Sequence, residues 1–148
     1  MNRKQQDFYQ KLRKQIREWA EKRIDKNHQW VEFVLLAPDL FHLLCKLMTE
    51  SEVPLAKKAK LAAAIAYFIS PIDLLPEVIF GPIGYLDDVA LAAYVLNDLI
   101  NEVDPRVITK NWAGEQNILN LIKTILINSD KILGSGLWKR IRKKISST

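Results

Sequence analysis

The chain has 148 residues, 49% of them hydrophobic, which is enough apolar material for the core of one ordinary domain. Its single cysteine, Cys45, excludes an internal disulfide scaffold and fits a reducing compartment. The first residues are charged, so no secretory signal is expected, and no window of about twenty residues is free of both charge and proline, so no ordinary membrane span is expected either.

The net charge of +5 is unevenly spread. Residues 1–26 carry nine Lys/Arg against four Asp/Glu, residues 131–148 carry six Lys/Arg and no acid, and the middle is net acidic. Basic arms of this kind suit an anionic membrane surface or nucleic acid, and they equally suit packing on the acidic centre of their own molecule. No repeat and no strand-like alternation is present, and helical spacing dominates.

From Arg3 to Lys26, Phe8, Leu12, Ile16 and Trp19 recur at steps of four, four and three, one apolar stripe on a charged helix. A short apolar stretch, Trp30 to Ala37, follows. Pro38 and Asp39 then open a helix "PDLFHLLCKLMTE", with proline and acid in the first turn. Pro54 opens "PLAKKAKLAAAIAYFIS", which gathers Lys57, Lys58 and Lys60 near its start. Its Ala59, Ala63 and Ala66 share a face, and this predicts close approach of a neighbouring helix. That neighbour is expected over 86–103, with Ala90, Ala92 and Ala93, and with Asn97, Asp98, Asn101 and Glu102 facing solvent. Asp104-Pro105-Arg106 reads as a cap and restart. A further helix is predicted over 115–126, and "GSG" at 134–136 breaks the chain. The tail "LWKRIRKKI" aligns Leu137, Trp138, Ile141 and Ile145 beside Lys139, Arg140, Arg142, Lys143 and Lys144. An apolar stripe flanked by Lys and Arg is the pattern of an interfacial amphipathic helix, with Trp138 suited to the headgroup zone.

The densest chemistry lies in "AYFISPIDLLPEVIFGPIGYLDD", residues 66–88, where Asp73, Glu77, Asp87 and Asp88 accompany three prolines and two glycines. Ser70 caps, Pro71 fits the first helical position, and Asp73 completes a capping box with Asp in the usual Glu or Gln place. Asp87 and Asp88 fall in the first turn of the returning helix, where negative charge meets the positive end of the dipole. The alternative is a hard-cation site built from the same four carboxylates, although their spacing matches no EF-hand loop. The apolar loop between them, with Ile79 and Phe80, is either tucked into the core or presented to a partner or a bilayer interface.

Tyr67, Ser70, Pro71, Asp73, Leu74, Pro76, Glu77, Gly84, Leu86, Asp87 and Asp88 together resemble the signature of the YkvA-like domain-of-unknown-function family. Glu77 stands where that family more often has Asp. The resemblance is tight over 67–88, looser over 38–103, and does not extend to the terminal arms. It implies a small helical protein, often bacterial and often membrane-associated, and it supplies no reaction and no catalytic residue.

His42 and Cys45 sit three residues apart, with Asp39 one turn earlier. A zinc site needs two more ligands, and the chain offers only His28 as a further histidine and no second cysteine. No Gly-rich phosphate loop and no nucleophile elbow is present. The expectation is therefore an all-α helical bundle, one domain over 1–148. It comprises a basic N-terminal helix (1–26), a core (38–103) centred on a tight helical hairpin, further helices (104–130) and a basic tail (134–148). Its expected role leans to a non-catalytic membrane-associated module, with no cofactor expected and no small-molecule substrate identified, and the alternative is a divalent-metal-binding protein or an enzyme that uses Asp73, Glu77, Asp87 and Asp88. The expected partner is an anionic membrane surface, with a protein partner as the alternative and nucleic acid disfavoured for want of a reader motif. The expected location is cytoplasmic, peripheral to the membrane.

Overall fold

The computed structural model of the protein describes residues 1–22, 31–69 and 85–133. Within them every regular element is a helix, with no strand, as the periodicity predicts. Helix α1 spans Arg3–Lys22. Its start is closed by a reciprocal capping box. Asn2 Oδ1 accepts from the Gln5 backbone N–H at 2.8 Å, and Gln5 Oε1 accepts from the Asn2 N–H at 3.2 Å. The apolar stripe buries Leu12 and Ile16, while Phe8 and Tyr9 are half-buried against the core.

The short α2, Val31–Leu35, leads almost directly into α3, Ala37–Met48, with Pro38 in its first turn. Thr49 ends α3 by donating its hydroxyl to the Lys46 carbonyl at 2.7 Å. Eight of the twelve α3 residues are buried, from Ala37 to Leu47. A helix apolar on most of its circumference has to lie inside, and α3 does so, contacting α1, α2 and three later helices. Phe41 stands at its middle. Its ring lies 4.8 Å from Phe8 of α1 and 5.5 Å, edge on, from Phe68 of the following helix.

That helix, α4, spans Leu55–Ile69, and α5 spans Tyr85–Ile100. The two pack on each other as the expected hairpin, although α3 also lies against both, and α5 makes its most extensive contact with a later helix. One expectation is corrected. Ala59, Ala63 and Ala66 do not form the seam, because all three are exposed. The buried stripe is Leu61, Ala64, Ile65 and Phe68. Each large side chain taken from water stabilises by about 1.5–3 kcal/mol, so the large residues choose the face and the alanines are left outside, contributing helix propensity. On α5 the small residues do lie inside, with Ala90, Ala92 and Ala93 buried beside Val89, Leu96 and Leu99.

Asp104 caps α6, Pro105–Asn111, as predicted. Its carboxylate accepts from the Arg106 backbone N–H at 3.0 Å and from the guanidinium at 2.9 and 3.1 Å. The last helix among the described residues, α7, spans Ile118–Leu133, which starts later and runs further than the expected 115–126. Asn117 caps it, accepting from the Asn120 N–H at 3.2 Å. In the intervening turn Trp112 donates from Nε1 to the Gln116 carbonyl at 2.9 Å, and a β-carbon at Gly114 would run into the Trp112 indole. Helix α7 is the main partner of α5, burying Ile118, Ile122 and Ile125.

Because Phe41 links α1, α3 and α4, Phe41→Ala is expected to cost about 3–5 kcal/mol, read by urea denaturation of both proteins.

Candidate functional site

Helices α4 and α5 run antiparallel, and their outer ends are clamped by charge. Asp98 Oδ2 accepts from Lys57 Nζ at 2.7 Å and from Lys60 Nζ at 3.0 Å. Glu102 lies 3.9 Å from Lys57. The hydrogen bonds from Lys57 and Lys60 hold the Asp98 carboxyl below the usual carboxylate range, and the bond to Asp98 raises Lys57. Asp98 was expected among the solvent-facing polar residues of its helix. It is instead the partner of the lysine cluster on α4. Forty-one residues separate it from Lys57, so periodicity within either helix gives no sign of the pairing.

At the opposite, inner end lies Asp88, in the first turn of α5 where the sequence places it. Its side chain is fully buried, and among the described residues it is the one buried charged group. A carboxylate taken out of water needs compensating hydrogen bonds or charge, and a helix N-terminus supplies a favourable potential. Asp87 shares that turn, but its side chain lies outside the described residues. So do Ser70, Asp73, Glu77, Ile79 and Phe80 in the connection, and the tail residues Trp138, Lys139, Arg140, Ile141, Arg142, Lys143, Lys144 and Ile145. Among the described residues, no three of His, Cys, Asp and Glu are gathered as a metal site.

The Asp39, His42 and Cys45 trio is part of the packing between α1 and α3. Cys45 is buried, and burial pushes its thiol up to about 12, so it is no nucleophile at neutral pH. His42 packs its ring 5.1 Å from Tyr9. Burial lowers its pKa, with Lys46 pushing the same way and Asp39 opposing. Burial likewise raises Asp39, partly offset by Arg13 and His42.

The docked α1 turns its charges outward. Arg3, Lys4, Lys11, Arg13, Lys14 and Arg17 are all exposed, against Asp7, Glu18 and Glu21. An open groove of about 430 Å³ runs beside it, lined by Arg13, Ile16, Arg17, Glu21, Leu35, Pro38 and Asp39. The sequence shows the basic residues of α1 but not this groove, which exists only because α1 lies across α2 and the start of α3. Among the described residues no helix is long and apolar enough to cross a membrane.

The hairpin carries the chain's affiliation. Residues 57–94, most of α4 and the first part of α5, match the family described as a protein of unknown function, DUF1232. The chain is also 30% identical over 98 residues to the uncharacterized protein ORF9 of Methanothermobacter thermautotrophicus, covering 66% of this chain and 67% of that protein. The chain belongs to this uncharacterised family. No solved structure matches it.

Two outcomes are expected at the hairpin. Asp88→Ala removes the polar contacts of a buried carboxylate and should cost at least about 2 kcal/mol in chemical denaturation, with the Asn variant costing less. The Asp98 pKa is depressed in the fold, so its stabilising contribution is present above its ordinary value of 3.8 and is lost as pH falls through the lower, folded value. Thermal melts from pH 6 to 2 should therefore fall less steeply for Asp98→Asn than for the parent.

Proposed function

We propose that this protein is a non-catalytic helical module that binds anionic membrane surfaces from one side without crossing them. The observation that carries the reading is the orientation of α1. Its apolar stripe is spent on the core through Leu12 and Ile16, so its exposed face is dominated by lysine and arginine. That face is a preformed cationic surface, and juxtamembrane Lys and Arg each contribute about 1 kcal/mol toward anionic lipid. The tail sequence supplies an amphipathic pattern, and on this reading Trp138, Ile141 and Ile145 insert shallowly between Lys139, Arg140, Arg142, Lys143 and Lys144. Ile79 and Phe80 add a second apolar contact. The YkvA-like reading of the 67–88 signature supports the same assignment, since that resemblance implies membrane association.

A second reading is favoured by the burial of Asp88. In it, Asp73, Glu77, Asp87 and Asp88 hold a divalent cation such as Mg²⁺ or Ca²⁺ between the hairpin helices. Calorimetric titration with each metal separates the two, because saturable binding lost in Asp88→Asn, with helicity retained, belongs to the second alone.

Co-sedimentation with vesicles tests the first. Binding to vesicles containing phosphatidylserine is expected at low salt, falling steeply as salt rises. Neutralising Lys11, Lys14 and Arg17 to glutamine should weaken it by on the order of ten-fold or more. No binding at low salt, or binding unchanged by deletion of 134–148, overturns the reading. A stable protein complex without lipid affinity would identify an adaptor instead.

A further inference from the structure

The seam between α1 and α3 holds a titratable group in an awkward place. His42 lies against Tyr9, ring centroids 5.1 Å apart, and its Nδ1 is buried with no hydrogen-bond partner. A neutral imidazole tolerates this arrangement, because only one of its nitrogens carries a proton. An imidazolium does not. Both nitrogens then carry protons, and the one on Nδ1 would be sealed from water and from any acceptor.

The surroundings add to the penalty. From its own helix, His42 faces Lys46, Asp39 and the buried Cys45. From α1 it faces Tyr9 and the Met1 amine. Asp39 is the only negative group among these, and burial disfavours its charged form. Arg13 already stands 5.5 Å over the Tyr9 ring, so a cationic His42 would share that ring with a second positive charge and gain little from it. Among the described residues α1 is tied to α3 by ring and apolar contacts, Phe8 to Phe41 and Tyr9 to His42 with Leu12 and Ile16 buried in the core, and by the attraction of Arg13 for Asp39. Helix α1 also lies against α2, so a charge introduced here acts on the part of the attachment that α3 provides.

We propose that His42 is an acid-sensitive catch: its protonation loosens the seam and releases α1 from α3 while the α3–α7 bundle stays folded. Released, His42 titrates near its ordinary value of 6.5, and docked it titrates lower, so the proton favours release as pH falls through 6.5. Asp39 works in the opposite sense, because its pKa is raised in the docked state above the ordinary 3.8 and its protonation favours docking. The window for release lies below 6.5 and above the carboxylate range. What release exposes is the stripe of Phe8, Leu12 and Ile16 on a helix rich in Lys and Arg.

Cys45 reports the event. It is the chain's only cysteine, lies one turn beyond His42, is buried, and is close enough to the Met1 amine to feel its charge. The test is its reaction with 4,4′-dithiodipyridine, a reagent active at acid pH, on the full chain from pH 8 to 5. The rate is divided at each pH by that of the denatured chain, and helicity is followed in parallel by circular dichroism. The relative rate should rise between pH 7 and 5.5 with helicity retained, by no more than about eight-fold, the limit for a group of ordinary pKa 6.5 that takes its proton only when released. His42→Gln should flatten the profile, and His42→Phe, which fills the same space without titrating, serves if Gln does not fold. A flat parental profile, a rise that only accompanies loss of helicity, or a rise that persists without His42 overturns the proposal. No lipid enters the test, so its outcome is separate from that of the vesicle experiment.

Discussion

The packing around Phe41 is the constraint on which the other elements depend. One ring touches Phe8 of α1 and Phe68 of α4, and the helix that carries it is buried on most of its surface. A helix with so little polar surface is unstable alone and has to be wrapped. The molecule can be understood as the set of amphipathic helices that wrap it. Interiors of this kind are packed at the density of organic crystals, so the positions of α1, α4 and α5 relative to α3 are fixed by shape rather than by any single bond.

The hairpin that carries the family match is fixed at two levels. Its apolar side follows the large residues of α4 and the small residues of α5, which lets the two backbones approach under α3. Its outer end is registered by Lys57 and Lys60 closing on Asp98, a partly exposed trio whose value lies more in orientation than in stability. Its inner end holds Asp88, a fully buried carboxylate. Aspartate is rarely fully buried in proteins, and this residue sets the inner end of the hairpin apart from the rest of the core.

Charge gives the molecule a direction. By docking its apolar stripe, α1 settles which of its faces meets solvent, and that face is basic. The same docking places His42, Tyr9 and Cys45 in one seam. Attachment of α1 and display of its charge thus have one physical origin, and a change at the seam changes both what the helix covers and what it exposes.

The helices were legible in the sequence because their signals are local. The step pattern Phe8, Leu12, Ile16 foretold the buried stripe of α1, Pro38 and Asp39 marked the start of α3, and Asp104-Pro105 marked α6, each through contacts within a turn or two. The capping box of Asn2 and Gln5 is equally local, although the step pattern of apolar residues gives no sign of it. The late start of α7 follows from Asn117, a cap that Glu115 cannot outbid once Trp112 and Gln116 close the turn before it. The sequence by itself determined the all-α class, the element order and the segregation of charge, since periodicity, capping and composition act over short range. Only the tertiary structure decided that Ala59, Ala63 and Ala66 face solvent, that Asp98 pairs with Lys57, that Asp88 is buried and that His42 lies under Tyr9. Each of these depends on which distant helix comes to rest alongside, and that is settled by the burial of large side chains summed over the whole core.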